Sequence, residues 1–234
     1  MACRLCLAEV PLCKSHIIPE ICFAPMYDDR HRFIAVSDVK KQIVKEGQKG
    51  WWEKMLCAAC EARLNRYEKH VRRMFTDPLL APLADKRVYV FPKVEYRLLK
   101  LFILSVLWRA SVSTLPAYRH VSLGPHEEPM RELILADADV APETYGCVIW
   151  ALFDGDRHFV DMMTEPSYDK QDGRRCYRFI MRGFVFMIYV GSRTIDDATS
   201  RLFVGRQPEV RAYHINWDVF PFLRQVMGEV AAMP

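Results

Sequence analysis

Four of the eight cysteines in this 234-residue chain form two Cys-x-x-Cys pairs, Cys3 with Cys6 and Cys57 with Cys60. Two residues between cysteines let both thiolates of a tight knuckle turn toward one ion. Two such knuckles complete a tetrahedral four-thiolate zinc site. A site of that kind is closed, so its zinc is structural and not catalytic. Two unrelated cysteine pairs, or a redox pair, are the alternatives. The long gap from Cys6 to Cys57 requires a substructure between the knuckles. Cys13, Cys22, Cys147 and Cys176 are scattered and read as small buried apolar side chains.

Between the knuckles lies Lys14-Ser15-His16-Ile17-Ile18-Pro19. A histidine ending a short strand, backed by apolar residues and a proline, can project rigidly into a cleft. Taken alone, His16 is a structural histidine or a further metal ligand. Its place between two zinc knuckles, with an amphipathic helix closing the unit, makes it a candidate for catalysis.

The order Cys-x-x-Cys, a strand ending His-Ile-Ile-Pro, then Leu-Cys-x-x-Cys opening a helix resembles the zinc-containing HNH endonucleases. The string CRLC…SHIIPE…LCAACEARLNRYE further resembles a bacterial subfamily of mostly uncharacterised proteins. That subfamily also carries a segment like LFILSVLWRASVS at Leu101–Ser113. The nuclease resemblance covers about residues 1–75 and implies a ββα-metal fold. It implies His16 as the general base that deprotonates a water attacking the scissile phosphate. It also implies a catalytic divalent ion, magnesium or manganese, which stabilises charge on the phosphate and leaving oxygen. Family members place Asp or His just before the base, where this chain has Ser15, a poor ligand. The other ligand usually follows the last cysteine. Glu61 holds that place, and its oxygens suit a hard cation. Defence against foreign DNA, as from phage, fits the family's habits.

Helix geometry selects further candidates. At about 100° per residue, Glu61, Asn65, Glu68 and Arg72 share one stripe bordering the apolar face. His70 falls roughly opposite Glu61, so it is not the family's second histidine. Asn65 and Glu68 are therefore expected to assist His16 and Glu61. The alternative is that these carboxylates are surface groups paired with Asn65 and Arg72. Arg63, Arg66, Lys69 and Arg73 form a basic face suited to phosphates, although a solvated face looks the same.

These residues must be carried by ordered elements. The segment Cys60–Phe75 reads as an amphipathic helix with Leu64, Tyr67, Val71, Met74 and Phe75 on one stripe. Short extended runs are expected at Val10–Leu12 and His16–Ile18, a turn at Pro25–Asp29, and a strand at Arg32–Ser37. Ser37 and Asp38 predict caps of a helix through Lys45, ended by Gly47 and Gly50. Pro78 and Pro82 mark a linker. The chain thus divides into a zinc-binding HNH-like module at 1–76, a linker at 77–86 and a second α+β domain at 87–234.

In that second part a strand is expected at Arg87–Phe91 and a helix from Val94 to about Ser111. The helix is apolar nearly all round and so is central and buried. A helix from Gly124 through Leu135, strands at Gly146–Phe153, His158–Thr164 and Tyr177–Val190, and a helix at Trp217–Val230 complete the pattern. Gly183 breaks the last strand into a hairpin. Trp108-Arg109 and His126-Glu127-Glu128 read as a buried helix end and a helix start.

Charge and composition agree with a globular nucleic-acid enzyme. Residues 1–75 hold 14 Lys and Arg against 9 Asp and Glu, whereas the rest is nearly balanced at 19 against 20. The basic end is the end with the cysteine pairs, as expected for contact with a polyanion. The segment MACRLCLAEVPLCK has no signal-peptide pattern, and the longest apolar run, Leu98–Trp108, is interrupted by Lys100. A cytoplasmic protein without membrane spans is expected, with reduced thiols. The expectation is a metal-dependent HNH-type endonuclease acting on nucleic acid, DNA above all, with a partner protein or ligand at the C-terminal domain. The alternatives are an inactive zinc module that recognises nucleic acid or a partner protein, and a nuclease restrained by a ligand-sensing second domain.

Overall fold

The computed structural model describes residues 1–23, 33–37, 42–47, 50–76, 87–91, 93–155, 158–159, 162–171, 174–191 and 195–225. Strand β1 (Leu12–His16) leads to the short helix α1 (Glu20–Phe23). Strands β2 (Phe33–Ser37) and β3 (Gln42–Gly47) pair antiparallel. Strand β4 (Trp52–Cys57) then returns antiparallel to β1, with His16 opposite Trp52. It runs directly into helix α2 (Ala58–Thr76).

The stripe of Leu64, Tyr67, Val71, Met74 and Phe75 is buried, as its 3.6-residue period requires. The helix expected from Ser37 to Lys45 is instead partly strand β3. A strand available for pairing, together with the β-branched Ile43 and Val44, outweighs the local cap signals. The turn expected at Pro25–Asp29 and the linker at 77–86 lie outside the described residues.

The second part begins with β5 (Val88–Phe91) and helix α3 (Tyr96–Val112). Helix α4 (Glu127–Leu135) follows, after a 3-10 turn at Gly124–His126. Strands β6 (Cys147–Asp154), β7 (His158–Phe159), β8 (Thr164–Gln171), β9 (Arg174–Met181) and β10 (Phe184–Tyr189) come next, then the helical turn α5 (Asp197–Ser200) and strand β11 (Val210–Asn216). The main sheet has the order β5-β11-β6-β10-β9-β8, with β7 beside β6. Its β11–β6 pair is parallel and the other pairs are antiparallel. The chain is therefore an α+β protein.

Strand β11 was not expected, because its Arg211 and His214 mask the alternation of Val210 and Ala212. The segment expected as a helix at Trp217–Val230 shows a 3-10 turn at Trp217–Val219 and a helical turn at 221–225, the remainder lying outside the described residues. The expected hairpin is real. Arg182 and Gly183 both take positive φ, 53° and 71°, the signature of the tight turns that match strand twist.

Helix α3 is buried from Leu99 to Ala110 and lies between the sheet and helix α2. Along β10, Phe184, Phe186 and Ile188 face that layer, whereas Val185, Met187 and Tyr189 face a second cluster with Phe203, Phe220 and Leu223. Residues of both parts of the chain, from Cys3 to Ala212, share the first of these cores. No helix among the described residues is long and apolar enough to cross a membrane.

Candidate metal centre and candidate active site

Cys3 and Cys6 lie on a turn closed by the Cys3 N–H to Ala8 O bond (2.9 Å) and the Leu7 N–H to Cys3 O bond (2.8 Å). Leu7 takes the left-handed conformation, φ 63°, that lets the chain reverse there. Cys57 ends β4 and Cys60 lies in the first turn of α2, so the second knuckle is the strand-to-helix junction itself. Arg4 N–H donates to Met55 O at 3.1 Å and pins the first knuckle to β4. From the other half of the chain, Arg131 of α4 donates to Leu5 O at 2.5 Å.

The four sulfur atoms all lie within 4.8 Å of one another, with Cys6 Sγ 3.8 Å from Cys57 Sγ. Zn–S bonds of about 2.3 Å in a tetrahedron put sulfurs about 3.8 Å apart. The cluster can hold a metal ion, and its spacing fits zinc. Burial pushes the Cys3 thiol up, but backbone N–H groups of Cys6, Cys57 and Leu5 outweigh it and hold the thiol at about 7. Thiolate is the form that binds metal.

A second candidate site involves Ser15 of β1 and Glu61 of α2. Ser15 is fully buried. Its Oγ accepts from Leu56 N at 3.1 Å, and the hydroxyl favours the ionised form of the nearby Glu61 carboxylate. The residue that looked like a missing ligand is thus a buried support for Glu61. Burial raises the Glu61 carboxyl above its ordinary value, with Glu68 adding to the rise, while Ser15, Arg109 and His16 pull the other way. Glu61 Oε1 is buried and has no hydrogen-bond partner among the described residues. His16, one-third exposed, places Nε2 3.5 Å from Glu20 Oε2 at the start of α1. Gly50 lets α1 approach, since a Cβ there would sit 2.8 Å from the Phe23 ring.

Arg109 ends a buried helix, as the sequence indicates, but its contacts with β1 and α2 were not foreseen. This side chain is 1% exposed, in the last turn of α3, and binds three elements at once. Its Nε donates to Ser105 O (3.2 Å), and Nη1 donates to His16 O (2.8 Å) and Glu68 Oε1 (3.0 Å). Nη2 is buried without a partner among the described residues. A lone cation in the apolar run LFILSVLWRAS was the available signal, because a charge is rarely buried unless paired.

The remaining candidates are dispersed. Asn65 is exposed, and Glu68 is held by Arg109. Arg63 is half-buried, and Lys69 is exposed. Arg66 is exposed but paired with Asp137 at 2.6 Å. Arg73 is on α2 with its side chain outside the described residues. His70 turns away from Glu61, its Nε2 accepting from Glu95 N (2.7 Å) at the start of α3. Cys22, Cys147 and Cys176 are buried, whereas Cys13 is half-buried. No protein-family model, no curated protein and no solved structure matches the chain.

Proposed function

We propose that the chain is a metal-dependent endonuclease of the HNH type that hydrolyses phosphodiester bonds in nucleic acid, with DNA the expected polymer. The observation that carries this reading is the half-buried Glu61 carboxylate, its Oε1 enclosed without a partner among the described residues and its charged form favoured by Ser15, Arg109 and His16. A buried, bare carboxylate oxygen calls for an explanation, and it suits a hard cation such as magnesium or manganese. Bound there, a divalent cation would offset charge on the phosphate and the leaving oxygen. In the four-thiolate cluster a zinc ion would fasten β1, β4 and α2 into a ββα unit.

His16 takes the proton from the attacking water. With Nε2 turned toward Glu20 Oε2 at 3.5 Å, Nδ1 is the ring nitrogen left to accept that proton. Arg63 and Lys69 would meet the phosphate backbone. Residues 1–76 would form the nuclease module and residues 87–234 the second domain.

A second reading, an inactive zinc module that binds nucleic acid or a partner protein, is favoured by one arrangement. With Glu68 engaged by Arg109 and Asn65 exposed, Glu61 is the one carboxylate of α2 among the described residues left for the ion. The deciding experiment is cleavage of plasmid and single-stranded DNA with magnesium or manganese, wild type against His16→Ala. Cleavage lost in the variant supports the nuclease. A wild type that binds DNA and cuts nothing supports the module.

A further inference from the structure

Arg109, a buried cation that bonds the His16 carbonyl and acts electrostatically on Glu61, comes from α3, outside the β1–β4–α2 unit. We propose that Arg109 is a positioning residue that withdraws Glu68 from the cation site and leaves Glu61 as the one carboxylate of α2 presented there; this rests on the metal-dependent reading above. Two observations support it. The Arg109 side chain is 1% exposed, and its charge is offset by Glu68 at 3.0 Å. Its Nη2 and Glu61 Oε1 are both buried and without partners, and the two side chains interact electrostatically.

Bonding of Nη1 to both His16 O and Glu68 Oε1 fixes the end of β1 against α2. The guanidinium fork can hold two acceptors in a fixed relation, which an ammonium does less well. Site charge follows from the same contact. With Arg109 and Glu68 cancelling, α2 presents the charge of one carboxylate to the site. Without Arg109 it presents two, and the site binds a dication more tightly in a worse geometry.

The test uses the full chain and Mn2+ alone as probe, with affinity read by electron paramagnetic resonance and with zinc content checked. Glu61→Gln should weaken the binding about thirtyfold or more, the loss of one carboxylate charge at short range. Arg109→Gln should tighten Mn2+ binding about fivefold or more, the weight of one added negative charge at short range even in a water-like dielectric. Its kcat should fall about 10–100-fold with KM little changed, because the reacting groups are misplaced. Glu68→Gln should weaken Mn2+ binding, and the Arg109→Gln/Glu68→Gln pair should return it toward wild type. Arg109→Lys should keep wild-type affinity and recover part of kcat.

Loss of packing alone would weaken binding and cleavage together, so tighter binding with slower cleavage identifies positioning. If Arg109→Gln does not fold, Glu68→Gln and the double variant decide. A double variant as weak as Glu68→Gln makes Glu68 a ligand and overturns the inference, as does a wild type without Mn2+ at Glu61. A wild type that binds Mn2+ and cuts nothing removes the nuclease reading and leaves the affinity series to judge Arg109.

Discussion

Arg66 of α2 and Asp137, just past the end of α4, form an ion pair with Arg66 Nη2 2.6 Å from Asp137 Oδ2. Arg97 reaches the same carboxylate at 3.0 Å, and the Tyr67 hydroxyl donates to it at 2.8 Å. Asp137 therefore ties α2, α3 and α4 together at one point. It takes φ 54°, a conformation that Asp and Asn accept more readily than most residues.

This network predicts an acid-sensitive contribution to stability. Burial pushes the Asp137 carboxyl up, but the bonds from Tyr67, Arg97 and Arg66 outweigh it and hold the group below its ordinary value of 3.8. A lowered pKa means that the folded state favours the ionised form. The contribution is then complete well above 3.8 and is lost as pH falls through that value toward the lower folded one. Asp137→Asn keeps the backbone preference and removes the charge. It should cost about 1–2 kcal/mol at pH 7 and show a smaller loss than wild type between pH 5 and 3, read by urea unfolding.

Lys100 predicts the opposite end of the pH scale. Its Nζ donates to Tyr145 O (2.8 Å) and Pro142 O (3.4 Å), and burial lowers its amine to about 8. The folded state thus binds the proton less tightly than the unfolded chain, whose lysine titrates near 10.5. Stability attributable to Lys100 should rise with pH between about 8 and 10.5. The difference in unfolding free energy between wild type and Lys100→Met, followed from pH 7 to 10.5, isolates it from the thiols and tyrosines that titrate in the same range.

The four-thiolate cluster predicts about one zinc per chain by metal analysis. Cys3→Ser or Cys57→Ser should lose that zinc and unfold the β1–β4–α2 unit, since a structural zinc contributes on the order of 10 kcal/mol to folding. Metal-free protein that keeps this unit intact would refute the zinc proposal.

What the sequence could disclose divides along physical lines. Local periodicity was enough for α2, α3 and the β9–β10 hairpin, because each shows its burial in its own residues. The cysteine pairs announced their cluster because ligand spacing is a short-range property. Strand β3 and the contacts of Arg109 were not legible for a common reason. Pairing of β3 with β2, and the reach of Arg109 to His16 and Glu68, are set by tertiary neighbours. Ser15 is the sharpest instance. As a residue type it is a poor metal ligand, yet its buried hydroxyl supports Glu61, a role visible only once β1 is laid against α2.

Nucleic-acid binding should depend on salt with a log–log slope of roughly −0.9 per phosphate contact. Because Arg66 is paired with Asp137, replacing Arg63 and Lys69 by Ala should flatten the slope more than replacing Arg66. Binding isotherms between 50 and 200 mM salt, on the order of one decade of affinity per few contacts, would resolve this. Equal slopes for all variants would exclude this face of α2 as the phosphate surface.

The mechanism itself is tested by three side chains in and around α2. His16→Ala and Glu61→Gln should each remove cleavage while zinc content and fold persist, for different reasons. Removing a positioned general base typically costs about 10²–10⁴ in rate, and added metal does not replace a base. Glu61→Gln keeps an acceptor for the Ser15 hydroxyl but loses the charge that draws the cation, so high manganese should restore part of its activity. His70→Ala is the control from the far side of the helix. It removes the acceptor for Glu95 N and should cost about 1 kcal/mol in stability with cleavage retained. An inactive His70→Ala beside an active Glu61→Gln would place the reacting groups on the opposite face of α2 and overturn the assignment of the site to His16 and Glu61.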